Sequence, residues 1–459
     1  MSNSRLLKHD SHKYYLIDND DGYVANGNDI SSQQEALLSI PPPKDRYRIV
    51  YFIFFLQGIS MLLGWNVFIT ASVFFHSRFL GSPYADDFQN YFSVVNMGTT
   101  LLFLTYSLFT QTTENVSARL IFSLNLAAFT FFAMLVSTQF LELFTPTGYF
   151  YFTITFVFLV GISTAFQHNA IFGIVALFPP KYTQAVMSGQ GLAGLIMSLS
   201  QIISALAVER SPNKIQVDES LTCSTFIYFL FAFAVILFSL ISYFILIRLP
   251  LYIYYVDRSI DNNLIGRSFK GTFNKIYKLI FAVALVFCVT LSVFPSITSF
   301  IKSVAPDDRK NKFQYDYLFI PLHFLVYNFG DLLGRSLPSQ EALVITDQNQ
   351  IAFMSISRVI FIPILLLCNV DAGLHGKRIL PLLVNNDLLY FLVIFVFSVS
   401  NGYVGSLAMM AGPQVTDVEK DLTGMLLSVF LAVGLTIGSI LSFPLRAISC
   451  GFNPFIIHS

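Results

Sequence analysis

The sequence predicts an all-α polytopic membrane protein with eleven transmembrane helices arranged in two bundles of six and five. Three observations predict this class. Of the 459 residues, 54% are apolar and only 12% are charged, against roughly 25% charged residues in soluble domains. Apolar runs long enough to cross a bilayer recur after a polar start. A charged segment, residues 250–273, separates the first six runs from the last five.

The polar start, residues 1–45, is rich in Asn, Asp, Ser and Gln and lacks the hydrophobic core of a signal peptide. We therefore expect a polar tail, with a first span that is retained. Hydropathy predicts eleven spans after this tail. They lie at residues 47–76, 88–110, 117–141, 147–178, 184–208, 223–249, 274–300, 315–336, 351–370, 385–411 and 421–447.

An odd number of spans places the two termini on opposite sides of the membrane, and basic residues choose the orientation. With a cytoplasmic N-terminus, the inside loops and adjoining span ends carry the larger share of the 27 Lys and Arg residues. This count places Arg335 and Arg358 near the cytoplasmic ends of their spans. The sequence thus predicts a cytoplasmic N-terminus and a C-terminus on the other side.

The segment 250–273 divides the membrane part into residues 46–249 and residues 274–459. It carries Arg258, Arg267 and Lys270 and the polar run Asp261-Asn262-Asn263, which predicts a cytoplasmic linker between two bundles. Two helical bundles around a central site are a common plan of transporters. The division into six and five spans rests on the position of this linker.

The span at 315–336 carries three polar side chains on one helix face. Asn328, Asp331 and Arg335 are spaced i, i+3 and i+7. A charged side chain at the centre of a span costs about 2.5–3.5 kcal/mol, so this face belongs in a protein interior or a wet cavity. It predicts a transport site. The alternative is a packing clamp in which Asp331 and Arg335 only neutralise each other.

Other spans also carry polar or small residues. Trp65, the single tryptophan, lies mid-span beside Asn66; its flat ring favours a binding pocket over an interfacial anchor. Met97 is either a pocket wall or a packing residue. Gln167-His168-Asn169 cannot share one helix face, so at least one of the three should contact another helix. Gly189 and Ala193 form a small-residue surface for close helix contact.

The sequence excludes several other chemistries. The net charge is zero, so nothing favours a nucleic-acid partner. The four cysteines are scattered without a CxxC pair, which argues against a metal or redox centre. There is no phosphate-binding loop and no nucleophile triad, so we expect no cofactor and no energy from nucleotide hydrolysis.

Several segments together resemble signatures of the equilibrative nucleoside transporter family. They are residues 65–71, 187–191, 328–335, 358–363 with 367–369, and 400–403. The resemblance runs in order from about Asp45 to Ile448. It implies eleven spans, a cytoplasmic N-terminus and a fold like that of the major facilitator transporters, in agreement with hydropathy and charge.

The resemblance implies facilitative or proton-linked movement of nucleosides, sometimes nucleobases, across a lipid bilayer. Asp331 and Arg335 match the family residues that engage the ribose, with Asn328 beside them. Trp65 matches the tryptophan that lies by the substrate or its gate, and Met97 is a pocket-wall residue by position. His168 stands where many members have a glutamine that contacts the base.

Gly64 is a second departure from the family pattern, because many members have proline there and the kink of the first span could differ.

The chemistry of these side chains also fits a nucleoside as the ligand. An ionised Asp accepts from the vicinal ribose hydroxyls, an Arg donates to them, and a flat base stacks on an aromatic ring. Such a neutral ligand needs no metal.

A rival interpretation is an intramembrane enzyme or lipid-handling protein with Asp331 and His168 as acid and base. The sequence offers no second carboxylate or metal ligands beside them, so we expect a transporter and not an enzyme.

The short loop at residues 76–87 lies outside in this topology and lacks a glycosylation sequon, whereas the sequon Asn115-Val116-Ser117 lies inside. This favours a vacuolar or lysosomal type of membrane over the plasma membrane.

Overall fold

The computed structural model describes residues 7–9, 13–15, 41–85, 88–110, 115–209, 214–262, 268–306, 311–371, 378–416 and 419–450. Within these ranges the regular structure is helical, apart from one antiparallel hairpin of strands β1 (Leu7–His9) and β2 (Lys13–Tyr15) and an isolated antiparallel bridge between Ile301 and Val370. The α-helices are α1 (Ile49–Thr70), α2 (Ser72–Phe79), α3 (Phe88–Thr110), α4 (Val116–Ser137), α5 (Pro146–Val175), α6 (Pro180–Glu209), α7 (Lys214–Leu246), α8 (Pro250–Asn262), α9 (Phe269–Val293), α10 (Asp316–Ser336), α11 (Gln348–Ser357), α12 (Phe361–Leu366), α13 (Asp387–Val415) and α14 (Lys420–Cys450). Short 3-10 turns lie at Arg46–Arg48, Leu141–Leu143, Thr298–Phe300, Lys312–Gln314, Leu337–Ser339, Glu341–Leu343 and Arg358–Ile360.

Ten helical segments in the described ranges are long and apolar enough to cross a membrane. Helix α10 is not among these ten, because its polar side chains lower its mean hydropathy. It coincides with the span predicted at residues 315–336, and its 21 residues extend about 31 Å at 1.5 Å per residue. It packs between α6 and α13, where protein and not lipid surrounds the polar face. The predicted all-α polytopic fold is confirmed.

Helices α1 and α3 to α7 pack among themselves, as do α9 to α14. The two groups meet mainly where α6 contacts α10 and where α5 and α3 contact α14. The segment predicted as a linker contains helix α8, whose last residues include Asp261 and Asn262; Asn263 and Arg267 lie outside the described residues. The division into two bundles agrees with these contacts and remains a proposal.

Small residues let helices of the first group approach closely. A Cβ on Gly189 of α6 would overlap the carbonyl oxygen of Phe55 on α1, and a Cβ on Gly58 would overlap that of Val186. Only glycine permits such backbone contact. The small residue predicted to permit close helix contact, Gly189, therefore lies at the contact between α6 and α1.

Two predicted spans are interrupted. Helix α1 runs without a break through Gly64 and ends at Thr70, and Ala71 separates it from α2. The span predicted at 351–370 is formed by α11 and α12, joined by the 3-10 turn Arg358–Ile360. A 3-10 segment inside a helix often marks a hinge or a functional position.

We call the membrane side on which α1 begins the near side and the opposite one the far side. On the near side, Asp45 accepts hydrogen bonds from the backbone N–H of Val50 (3.1 Å) and from the hydroxyl of Tyr182 on α6 (3.1 Å). The rings of Phe109 on α3 and Phe269 on α9 lie 5.5 Å apart. The near ends of the two helix groups are therefore in contact.

On the far side, Lys302 forms ion pairs with Asp371 (2.8 Å) and with Asp316 at the start of α10 (3.0 Å). Hydrogen bonds to Asp371 and then to Asp316 raise the pKa of the Lys302 amine. Asp387 at the start of α13 accepts from Ser303 at 2.6 Å. These bonds fix the far ends of α10 and α13 to the segment that follows α9.

Candidate functional site

A buried ion pair lies near the C-terminal end of α10, with Arg335 in the last turn of the helix. The Nε of Arg335 donates to Oδ2 of Asp331 at 2.6 Å, and the two side chains are 6% and 7% exposed. The pair forms because residues four apart on a helix project from the same face. A partner within one turn also reduces the cost of placing either charge in the membrane.

Arg335 also reaches across to α6. Its Nη1 donates to Oε1 of Gln190 at 2.9 Å and to the backbone oxygen of Met187 at 3.4 Å. Its other terminal nitrogen, Nη2, makes no hydrogen bond to any described residue. The guanidinium thus belongs to α10 but contacts the other helix group, and it keeps a nitrogen with two N–H groups to donate.

The second oxygen of Asp331 is held from α13. The Nδ2 of Asn401 donates to Oδ1 of Asp331 at 2.7 Å, and the Oδ1 of Asn401 accepts from the hydroxyl of Thr290 on α9 at 2.7 Å. Gly402 permits this approach, since a Cβ there would overlap the backbone oxygen of Asp331. Asn401 therefore links the Asp331 carboxylate on α10 to Thr290 on α9.

Arg358 continues this chain of hydrogen bonds. Its Nη2 donates to the Thr290 hydroxyl at 3.0 Å, its Nη1 to the backbone oxygen of Val286 at 2.7 Å and its Nε to the hydroxyl of Ser400 at 3.1 Å. The guanidinium also lies 5.1 Å from the centre of the Phe397 ring, a cation–π distance. The side chain is 1% exposed, so a cation is enclosed among neutral groups.

Asn328, predicted on the same stripe, points elsewhere. Its Nδ2 donates to the hydroxyl of Ser198 on α6 at 2.6 Å and to the backbone oxygen of Phe324 at 2.9 Å. A Cβ on Gly194 would overlap the Asn328 side chain. Asn328 therefore joins α10 to α6 and has no hydrogen bond with Asp331 or Arg335 among the described residues.

Trp65 and Met97 are both half-buried. Trp65 packs at the edge of the main hydrophobic core, and its neighbour Asn66 has a buried Nδ2 without a partner among the described residues. Next to Met97, a Cβ on Gly98 would meet no atom within 4 Å. Neither position is committed to tight packing, so both stay predictions for the pocket wall.

His168 is buried on α5 and its neighbours take the contacts predicted for this triplet. The Nε2 of Gln167 donates to the Ser60 hydroxyl of α1 at 2.5 Å. His168 itself forms a hydrogen bond with the backbone of Met61, which like Ser60 lies on α1. The Nε2 of His168 is buried without a partner among the described residues. No hydrogen bond or ion pair joins His168 to Asp331 in the described ranges.

The sequence pattern missed four side chains of this site. Gln190 and Asn401 lie in the segments 187–191 and 400–403 that carry the family resemblance, but the sequence gives neither residue a role of its own. Thr290 and Arg358 gave no site signal of their own. The signal that could have found Arg358 was its position: it lies well inside an apolar run and not at the end where the charge count placed it.

A model of one protein family matches most of the membrane part. It is described as Nucleoside transporter, and it matches residues 154–268 and 257–447. The chain belongs to the nucleoside transporter family. The family membership predicted from the signature segments is confirmed.

Individual relatives agree with this membership. The chain is 29% identical to human equilibrative nucleoside transporter 1 and 30% identical to the rat protein of that name, over 88% of this chain and 98% of each relative. It is 26% identical to equilibrative nucleotide transporter 1 of Arabidopsis thaliana, over 87% of this chain and 86% of that protein.

Solved structures with little sequence identity share the fold. A proton–xylose symporter of the major facilitator superfamily superposes with a TM-score of 0.54 at 13% identity, over 86% of this chain and 87% of that one. The human organic anion transporter MFSD10 gives a TM-score of 0.50 at 13% identity, over 87% and 94%. The major-facilitator-like architecture of this nucleoside transporter family member is thus confirmed. A multi-pass membrane transporter is favoured over an intramembrane enzyme.

Proposed function

We propose that this chain moves nucleosides across a bilayer by alternating access, with the ribose held by Asp331 and Arg335. The observation that carries the proposal is the position of the Arg335 guanidinium. It is anchored to Asp331 on α10 and contacts Gln190 on α6. A ligand that binds here touches both helix groups, which is the location expected of a transporter site.

The ion pair retains capacity for a sugar. Asp331 accepts one hydrogen bond on each oxygen, whereas a carboxylate has about four acceptor sites. Arg335 keeps Nη2 free of described partners, and Gln190 keeps a buried Nε2 without one. Vicinal hydroxyls both donate and accept, so a ribose satisfies the two remaining carboxylate sites and these donors together.

The base is assigned to the first helix group. His168 offers the unpaired Nε2, Asn66 an unpaired amide nitrogen, and Trp65 a half-buried indole. Unpaired buried polar atoms are costly, and the edge of a nucleobase supplies their partners. Met97 completes the wall of the same pocket. Asn328 is a less direct contributor, because it holds α10 against α6.

Alternating access then rocks the two bundles, residues 46–249 and 274–459, about this site. We take the near side as cytoplasmic, following the distribution of basic residues. Contacts such as Phe109 with Phe269 join the bundles on that side, which supports a form open toward the far side. Transport requires these near-side contacts to separate.

Two finer points belong to the same proposal. The movement is facilitative or proton-linked, and His168 is the residue through which a proton would act. The membrane is of vacuolar or lysosomal type in preference to the plasma membrane. The absence of a sequon from the short loop at residues 76–87 supports this choice.

The direct test is uptake by liposomes that contain the purified protein. We expect labelled adenosine or uridine to enter these liposomes faster than protein-free ones, to be displaced by excess unlabelled nucleoside, and to be recovered unchanged by chromatography. Recovery of a chemically altered nucleoside would favour the enzyme interpretation. Equal uptake by both kinds of liposome for both nucleosides would overturn the proposal.

A further inference from the structure

Arg358 is a cation buried in the membrane interior with neutral partners. The four hydrogen bonds of its guanidinium go to the backbone oxygens of Val286 and Phe397 and to the hydroxyls of Thr290 and Ser400. A buried arginine costs much less when a carboxylate pairs with it directly. The nearest link to an anion runs through Thr290 and Asn401 to Asp331.

Donor and acceptor chemistry gives this link a preferred direction. Arginine only donates hydrogen bonds, so the hydroxyl oxygen of Thr290 must accept from Arg358. The single proton of that hydroxyl has two close acceptors, the backbone oxygen of Val286 at 2.9 Å and Oδ1 of Asn401 at 2.7 Å. The phenol of Tyr327 on α10 also forms a hydrogen bond with Thr290, and it can donate to the second lone pair of the Thr290 oxygen. Arg358 already donates to Val286 at 2.7 Å, which leaves the Thr290 proton for Asn401.

The orientation of the Asn401 amide follows from this. With its oxygen turned to Thr290, its nitrogen must face Asp331, and it donates to Oδ1 there at 2.7 Å. A reversed amide would bring two oxygens together at the carboxylate. Asn401 is 2% exposed and Thr290 is 3% exposed, so water does not compete for either group.

We propose that Arg358 is a positioning residue for sugar recognition, which acts through Thr290 and Asn401 on the carboxylate of Asp331. This inference rests on the proposed function. Asn401 occupies one site on Oδ1 and Arg335 occupies one on Oδ2, so the remaining lone pairs point in fixed directions toward the ribose hydroxyls. The 3-10 turn Arg358–Ile360 gives Arg358 its place inside the bundle.

A purely structural role for this chain of bonds predicts a different result. A clamp between α9, α11 and α13 would, when weakened, reduce the amount or the turnover of the protein for every substrate. A positioning role changes the affinity only for ligands with ribose hydroxyls. Dideoxynucleosides, which lack those hydroxyls but keep the base, separate the two.

The experiment compares Thr290→Val with Thr290→Ser in liposomes at equal amounts of folded protein. Valine keeps the shape of threonine without the hydroxyl, and serine keeps the hydroxyl. We expect Thr290→Val to raise the apparent KM for uridine and adenosine about tenfold, the effect of one lost hydrogen bond to a charged group, and to leave competition by their dideoxy analogues unchanged. Thr290→Ser should behave as the native protein.

The matched control is Thr153→Val on α5, because the Thr153 hydroxyl is buried and donates within its own helix to the backbone oxygen of Tyr149 at 2.8 Å. It should leave both KM values unchanged. If Thr290→Val yields no folded protein, Ser400→Ala removes one acceptor of Arg358 and should give a smaller shift, again confined to ribonucleosides.

If Thr290→Val affects ribonucleosides and dideoxynucleosides equally, or affects neither, the inference about Arg358 is wrong. The proposed function would still stand in that case, provided that the native protein takes up nucleosides. No uptake by the native protein would instead overturn the proposed function itself.

Discussion

At the residue scale, the guanidinium of Arg335 has three separate tasks. One nitrogen binds Asp331, another binds Gln190 on α6, and the third, which has no described partner, is the one that we propose binds the ribose. A lysine keeps the charge but has a single ammonium and no planar fork, so it cannot do all three. Charge alone therefore does not define this position.

We expect Arg335→Lys to lose most nucleoside uptake, by more than about tenfold, while the protein remains folded because Asp331 keeps a cationic partner. Initial uptake rates at equal protein amounts measure the effect. Arg119→Lys is the control, since Arg119 is half-buried and binds Ser107 and Thr110 away from the ion pair. Native uptake by Arg335→Lys would contradict the ribose assignment.

His168 provides a second residue-scale prediction. Protonated imidazole donates from both nitrogens, whereas the neutral ring keeps one acceptor, so its fit to the edge of a base changes with pH. Glutamine offers a donor and an acceptor at every pH. We expect His168→Gln to retain uptake and to flatten its profile between about pH 5 and 8, the range in which histidine responds.

His323→Gln is the matched comparison for that profile, because His323 is also buried but lies on α10 among Phe294, Phe324 and Tyr390. If the native protein and His168→Gln have identical pH profiles, His168 has only a structural role and does not make uptake depend on pH.

The sequence predicted the part of the site that is local in the chain. Of the predicted face of Asn328, Asp331 and Arg335, the last two lie four residues apart, and helix geometry alone brings them together. Asn328 bonds Ser198 instead. Asn401 is separated from Asp331 by 70 residues and from Thr290 by 111. No spacing rule relates such positions, and an asparagine beside a glycine in a membrane helix is equally expected of ordinary helix packing.

At the element scale, close approach of α10 and α13 holds the site together. Gly334 and Gly402 face the neighbouring backbone, and an added Cβ on Gly402 would lie 2.7 Å from the N–H nitrogen of Arg335. Asn401 can therefore reach Asp331 only because the next residue, Gly402, has no side chain.

We expect Gly402→Ala to lower the free energy of unfolding by roughly 1–3 kcal/mol, the usual cost of overpacking, and to reduce uptake. Gly98→Ala on α3 is the control, because a Cβ there meets no atom within 4 Å and alanine favours the helix. The Tm of the two purified variants checks this. A Gly402→Ala protein as stable as Gly98→Ala would show that α10 and α13 can separate without cost.

Hydropathy predicted the spans well because a membrane helix must carry its own apolar length. It could not predict the break at Arg358–Ile360. Whether an arginine lies at the membrane surface or inside a bundle depends on acceptors from other helices, here Val286 and Thr290. A count of basic residues therefore assigned Arg358 to the near side when it is enclosed in protein.

At the scale of the whole molecule, two helix groups contact each other through α6 with α10 and through α5 with α14. A Cβ on Gly424 of α14 would overlap the backbone oxygen of Phe172 on α5. The sequence predicted two groups from one polar segment but not which helices form the contact surface. That surface is built from small residues and carbonyl groups, which hydropathy does not distinguish from lipid-facing positions.

The three buried charged side chains Asp331, Arg335 and Arg358 have an electrical consequence. Among the described residues, the buried charged groups are Asp331, Arg335, Arg358 and, at the start of α14, Asp421. The first three leave one positive charge inside the membrane although the proposed cargo is neutral. If rocking of the bundles carries this charge through part of the membrane field, voltage shifts the balance between inward and outward forms by up to about 2.3 kcal/mol per 100 mV. We expect voltage steps on a membrane containing the protein to evoke transient capacitive currents without any nucleoside, and records without such currents would mean that the charge stays at a fixed depth.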